Sequence, residues 1–266
     1  MSVRVLSRWF VAIAGVVLLV AALGAACRYW LESEANQAQP VLEGPRRPSK
    51  PRSPSIDPPL TERTLAGWPN LFGPHHDNVS AERDIATDWP PAGPDESWRR
   101  GSAAGYSAPV VQDGRLIVFG RQGDFEIVEC LDAATGSTRW TFQYPCTWVN
   151  TQNHYGAVPI ATPILNAGRV YTVGEEGKVH CLELDSGAIV WQRSLSEEYQ
   201  AGLGLFGVGA SPLLEGDLLI VNVGGTTTGA GIVALDQETG GTRWTATDHP
   251  ASYATPRAAT TSGAWS

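Results

Sequence analysis

From Arg115 onward, apolar and polar residues alternate in short runs broken by Gly, Asp and Ser. That period-two texture belongs to half-buried β-strands. One set of runs is Arg115 to Gly120, Phe125 to Leu131 and Arg139 to Phe142. A second is Arg169 to Gly174, Lys178 to Leu184 and Ile189 to Leu195. A third is Asp217 to Val223, Ala230 to Leu235 and Thr242 to Ala246. Ala108-Pro109, Thr162-Pro163, Ser211-Pro212 and Thr255-Pro256 open four units, each proline at a strand start where a missing N–H costs little. Ser97-Trp98-Arg99 reads as one more short strand. Each unit therefore predicts four antiparallel strands joined by tight turns.

The units carry a repeated cassette. It reads Leu131-Asp132-x-x-Thr135-Gly136-x-x-x-Trp140, then Leu182-Glu183-x-x-Ser186-Gly187-x-x-x-Trp191, then Leu235-Asp236-x-x-Thr239-Gly240-x-x-x-Trp244. A period of about 50 residues in four-stranded meanders predicts propeller blades. In each cassette the glycine supplies a turn needing positive φ. Asp132, Glu183 and Asp236 are placed to accept turn N–H groups. Trp140, Trp191 and Trp244 offer flat apolar faces to a neighbouring blade.

On these residues the chain resembles the pyrroloquinoline-quinone-type propeller repeat family, whose blade signature is Ala-x-Asp-x-x-Thr-Gly-x-x-x-Trp. Ala234 to Trp244 fits it throughout; Cys130 and Cys181 replace the alanine in the first two units, and Glu183 replaces the aspartate in the second. Trp68-Pro69, Phe72-Gly73-Pro74 and Asp77-Asn78-Val79-Ser80 look like the lead-in of exported, membrane-anchored bacterial members. The resemblance covers residues 67–266 and implies an all-β, partial β-propeller. About three blades and the start of a fourth are expected, short of the family's usual closed ring. The family includes quinoprotein dehydrogenases, which hold the quinone and a calcium ion near the propeller axis through Glu, Asn and Asp side chains. Some carry two adjacent cysteines beside the quinone.

Ahead of the repeats lie two other textures. Arg4 and Arg8 precede an uncharged stretch from Trp9 to Ala26, long enough to cross a bilayer core or to serve as a signal peptide. Residues 1–27 are therefore expected to form a signal or transmembrane helix, either kept, cleaved or lipidated at Cys27. The arginines place that end in the cytoplasm and the remainder outside it. Residues 28–66 are proline-rich, with no aromatic between Trp30 and Trp68. Such a stretch cannot bury enough apolar area to offset its ordering entropy, which makes it a spacer.

Composition narrows the chemistry. A formal charge of −8 argues against a nucleic-acid partner. Cys27, Cys130, Cys146 and Cys181 include neither a CxxC pair nor two adjacent cysteines, so no zinc ribbon, thioredoxin-type site or quinone-side cysteine pair is suggested. Cys130 and Cys181 read as small buried groups too far apart to bridge. Glu129 and His180 occupy matching places and read as surface residues. His75 and His76 alone are a weak metal signal, and no serine lies in a nucleophile elbow.

Two insertions, Thr147 to Val158 and Glu197 to Val208, are the best candidates for a binding surface. Trp148, Asn150, Asn153, His154 and Tyr155 lie in the first, and Tyr199 and Phe206 in the second. Exposed aromatics with amides suit a protein or cell-envelope polymer; covering the apolar ends of the blades is the other reading. The expectation is a binding scaffold without a cofactor, at the outer face of the cytoplasmic membrane. The alternative is part of a quinone- and calcium-dependent alcohol or sugar dehydrogenase.

Overall fold

The structure, a computed structural model, describes residues 67–80, 82–83, 85–148, 159–204 and 207–259. The expected N-terminal helix and the linker lie outside the described residues, as do Cys27, Asn150, Asn153, His154, Tyr155 and Phe206. No helix among the described residues is long and apolar enough to cross a membrane.

The described chain is all-β, in three four-stranded antiparallel sheets. Sheet 1 holds β1 (Val110–Gln112), β2 (Arg115–Gln122), β3 (Phe125–Asp132) and β4 (Thr138–Pro145). Sheet 2 holds β5 (Ile164–Asn166), β6 (Arg169–Val173), β7 (Lys178–Glu183) and β8 (Ile189–Ser194). Sheet 3 holds β9 (Leu213–Glu215), β10 (Leu218–Gly225), β11 (Ala230–Asp236) and β12 (Thr242–Ala246). Strand order follows chain order in every sheet. A one-turn helix, α1 (Leu195–Glu198), follows β8. Ser97-Trp98-Arg99 forms no strand, and neither do residues 255–259 beyond the fourth opening proline. Trp98 instead lays its ring against Gly136 and donates from Nε1 to the Ala133 carbonyl at 3.1 Å.

Register comes from short hairpins. Gln112 pairs with Arg115 around Asp113-Gly114, and Asn166 with Arg169 around Ala167-Gly168. Both turn residues have positive φ in each case, the geometry that follows the natural strand twist. With register fixed, alternation sends one face of each strand inward. In β2, Ile117 and Phe119 are buried; in β3, Val128 and Cys130 are buried while Phe125 is exposed.

The same irregularity recurs between the third and fourth strand of every sheet. Trp140 pairs with Cys130, Trp191 with Cys181 and Trp244 with Ala234. One residue is then skipped, so that Leu131, Leu182 and Leu235 pair with Thr138, Ile189 and Thr242. The extra residues are Arg139, Val190 and Arg243. A bulge of this kind twists the strand and re-aims its next side chain, here the tryptophan. The residue directly opposite the indole is small in all three sheets.

Each sheet docks on the next. Trp140 covers Gly187 and donates from Nε1 to the Leu184 carbonyl at 2.9 Å; Trp191 covers Gly240 and donates to the Gln237 carbonyl at 3.0 Å. Gly187 has φ +71°, and a β-carbon there would stand 2.6 Å from the Trp140 ring, so both backbone and contact require glycine. The opening residues also link up: the Ala108 N–H donates to Thr162 Oγ1 at 3.1 Å, and the Thr162 N–H to Ser211 Oγ at 2.8 Å. Trp68 exchanges backbone hydrogen bonds with Val111 on β1, and the Pro69 carbonyl accepts from the Leu165 N–H on β5. The lead-in therefore lies along the first strands of two sheets.

Candidate functional site

The cassette carboxylates are held in turns. Asp132 Oδ1 accepts from the N–H groups of Ala134 and Thr135 at 3.1 and 3.0 Å and from the Thr135 hydroxyl at 3.0 Å; Oδ2 meets Arg139 at 2.5 Å. Asp236 repeats this with Glu238, Thr239 and Arg243. Each arginine is the bulge residue of its own cassette. These bonds favour the ionised form: Arg139 foremost holds Asp132 below its ordinary range, and Arg243 foremost lowers Asp236 to about 2.

Glu183 does otherwise. Its extra methylene takes the carboxylate out of the turn and across the strand pair to Arg169. The bulge residue of that unit is Val190, so no arginine is available there. Asp132 and Asp236 thus accept turn N–H groups, whereas the Glu183 carboxylate pairs with Arg169. Gly136, Gly187 and Gly240 all have positive φ and donate backwards to the carbonyls of residues 132, 183 and 236. Trp140 is half-buried, Trp191 is 9% exposed and Trp244 is 41% exposed.

Of the candidate binding residues, Trp148 and Tyr199 are described, and both are half-buried. The Trp148 N–H donates to Glu176 Oε1 at 2.8 Å and its carbonyl accepts from Arg121 at 2.8 Å. Tyr199 packs against the core between sheets 2 and 3, with its hydroxyl 2.8 Å from Thr242 Oγ1. Glu198 is taken up by Arg193. His180 is buried, not a surface residue: its ring lies 4.1 Å from Tyr144 and 5.0 Å from Phe142, centroid to centroid. Burial, with a smaller push from Lys178, lowers its pKa to about 4 and keeps it neutral. Glu129 pairs instead with Arg100 at 2.7 Å, so the two form no proton-transfer pair. Cys130 and Cys181 are buried free thiols.

A buried polar cluster that the cassettes do not announce lies between sheets 1 and 2. Arg121, from the end of β2, is 8% exposed. Its guanidinium donates to Glu175 Oε2 at 3.0 Å and to the carbonyls of Gly123, Cys146 and Trp148 at 2.8–2.9 Å. Glu175 sits in the β6–β7 turn, and its N–H donates to Glu126 Oε1 at 2.9 Å. The Cys146 sulfur lies 3.7 Å from Glu175 Oε2. Glu126 Oε2 and the Tyr144 hydroxyl are buried without a well-directed hydrogen bond. The hydroxyl is still near enough to favour the ionised carboxylate somewhat. Burial dominates every acidity: it raises Glu126, raises Glu175 to about 7 with help from Glu126, and pushes the Cys146 thiol up to about 12. Next to this cluster, Glu176 accepts from Thr147, Trp148 and Lys178 and pins the start of the first insertion.

Strand parity was the available signal for this cluster. Arg121 shares a face with Ile117 and Phe119, and Glu126 with Val128 and Cys130, so both point inward by register. Arg121 and Glu126 also pair directly across β2 and β3. Glu175 and Cys146 lie just beyond strand ends, where no period indicates their direction.

Three consecutive four-stranded meanders, docked through tryptophan on glycine, define a repeat protein of β-propeller type. The chain belongs to the family described as outer membrane protein assembly factor BamB, whose model matches residues 124–264, more than half of the chain. Solved structures that resemble it include the quinohemoprotein alcohol dehydrogenase of Comamonas testosteroni, at 23% identity and TM-score 0.48, with 70% of this chain and 28% of that one covered. BamB of Moraxella catarrhalis is 25% identical, with TM-score 0.34 and coverage of 50% and 33%. A europium-containing methanol dehydrogenase is 18% identical, with TM-score 0.39 and coverage of 56% and 26%. The chain thus spans about a third or less of the length of each. No curated protein matches it.

The alternative expected from the sequence, a calcium-dependent dehydrogenase, raises the question of that ion. Glu126, Cys146 and Glu175 are the metal-capable trio found among the described residues. They do not fit that ion. Calcium takes six to eight hard oxygen donors, whereas one of these three donors is sulfur.

Proposed function

We propose that the chain is a non-catalytic, protein-binding propeller scaffold, tethered through its N-terminal segment outside the cytoplasmic membrane. The observation that carries this reading is the family match over residues 124–264, to a protein-assembly factor. The chemistry of the described residues supports it. Asp132 and Asp236 are spent on turns, and Arg121, Glu126 and Glu175 join two sheets from within. Neither group is an open constellation of acid, base and electrophile of the kind that an active site needs. The alternative, part of a quinoprotein dehydrogenase, would have to build its quinone and calcium site from residues other than these. The partner surface is assigned to the two insertions, with Trp148 at the root of one and Tyr199 within the other.

A calorimetric titration of the full chain with pyrroloquinoline quinone and calcium separates the two readings. The scaffold predicts no binding heat; saturable uptake followed by dye-linked alcohol oxidation would overturn it. Photo-crosslinkers placed at Trp148 and Tyr199 in intact cells should trap the same envelope protein from both positions. A phosphatase active only outside the cytoplasm, fused after the last repeat, should be active.

A further inference from the structure

We propose that Glu126, Cys146 and Glu175 bind one zinc-type divalent ion and so clip sheet 1 to sheet 2. One donor atom from each residue lies within 4.8 Å of the others. The three come from separate elements: Glu126 from β3, Cys146 from the residue after β4, and Glu175 from the β6–β7 turn of the next sheet. An ion held by all three would tie the two sheets together at the end of their seam.

The Tyr144 hydroxyl is a further incompletely satisfied group beside the trio. It is buried, belongs to a residue 7% exposed, and makes no well-directed hydrogen bond, although it lies near enough to Glu126 to interact with it. A fully buried polar group of this kind is costly unless something completes it. Glu126 Oε2, which likewise makes no well-directed hydrogen bond, lies beside the hydroxyl against Gly174. A β-carbon on Gly174 would fall 2.5 Å from the hydroxyl and 2.2 Å from the carboxylate oxygen. Gly174, having no side chain, lets both oxygens approach its backbone closely beside the trio.

Donor type and charge indicate the occupant. One sulfur with two carboxylate oxygens is a set that zinc accepts, at about 2.3 Å to sulfur and about 2.0–2.2 Å to oxygen, and that magnesium and calcium do not favour. Two carboxylates and a thiolate opposed by the Arg121 guanidinium leave two negative charges, the complement of one divalent cation. Arg121 has the place of an outer partner: it holds Glu175 through Oε2 while three backbone carbonyls fix its own position. Hydrogen bonds of that sort orient a ligating carboxylate. This inference does not depend on the scaffold reading.

The test uses the full chain with C27S, C130A and C181A, so that Cys146 is the sole thiol. After chelator treatment under reducing conditions it is titrated with cobalt(II). A thiolate-to-cobalt charge-transfer band should grow and saturate at a single equivalent, then vanish on addition of zinc. Adding E126Q should weaken cobalt binding by at least ~10-fold. Zinc should raise the melting temperature of the parent protein and leave that of its E126Q derivative unchanged. Absence of the band in the protein with Cys146 alone overturns the proposal, as does a band unaffected by both E126Q and E175Q. If the carboxylate variants fail to fold, the band and its stoichiometry in the parent decide the matter.

Discussion

The seam between sheets 1 and 2 and the seam between sheets 2 and 3 are closed by the same device and filled with different matter. In both, a tryptophan covers the turn glycine of the next sheet and donates to a carbonyl beside that turn. The second seam is apolar behind that contact: Tyr171, Val173, Leu195, Leu219, Val221 and Val233 lie in one buried cluster. The first seam has a smaller apolar cluster and, within or beside it, buried Arg121, Glu126, Glu175 and His180. One docking rule therefore tolerates two fillings. Apolar burial is non-directional and stabilises whatever encloses it, whereas buried charge is stable only when its partners stand in fixed positions.

The largest test of this contrast is at the tryptophans. Trp191→Ala should cost about 3–5 kcal/mol in urea unfolding. Trp140→Ala should cost measurably less, because that ring is only half-buried. Equal losses would mean that the burial of the indole does not set its contribution to either seam. Next, Arg121→Ala in chelator-treated protein should cost about 3–5 kcal/mol, since it strands Glu175 without its counter-ion. The pair Arg121→Met with Glu175→Leu should recover most of that loss. If the double variant is as unstable as the single one, the first seam requires charge, not merely volume.

The pH test is smaller and has a definite sign. His180 is held near pKa 4 against an ordinary 6.5, so the unfolded chain binds the extra proton between those values. Its neutral form supports the fold fully above about pH 6.5, and that support is lost as pH falls toward about 4. Glu175, raised to about 7, acts in the opposite direction: its contribution is complete below its unfolded value and lost as pH rises through about 7. His180→Phe should therefore raise the melting temperature relative to wild type at pH 4.5 more than at pH 7.5. A difference independent of pH would refute the buried neutral imidazole. The smallest effect is at the second cassette. Glu183→Asp with Val190→Arg installs the capping seen at Asp132 and Asp236 and should add about 0.5–1 kcal/mol.

What was legible in the chain follows from how local each interaction is. The hairpin turns and the cassettes rest on contacts within a few residues, and the expected runs match the middle and outer strands of each sheet to within a few residues. The short first strands, only three residues each, were marked by their prolines alone. Misreadings occurred where distant residues decide. Trp98 looked like part of a strand, but it is a docking ring that Gly136 receives. Glu183 looked like a cap, but one methylene and the nearness of Arg169 drew it elsewhere. His180 looked like a surface residue because polar type usually means exposure, yet Phe142 and Tyr144 cover it.

The sequence by itself determined the sheets: period-two alternation, glycine at positive φ, and a tryptophan at constant spacing oblige this chain to form four-stranded meanders that dock in series. Only the tertiary structure decided what the seams enclose. Glu126 and Glu175 are some fifty residues apart, and which elements bring them together depends on how one sheet seats on the next. Alternation states that a side chain points inward; it cannot state which group will be waiting there.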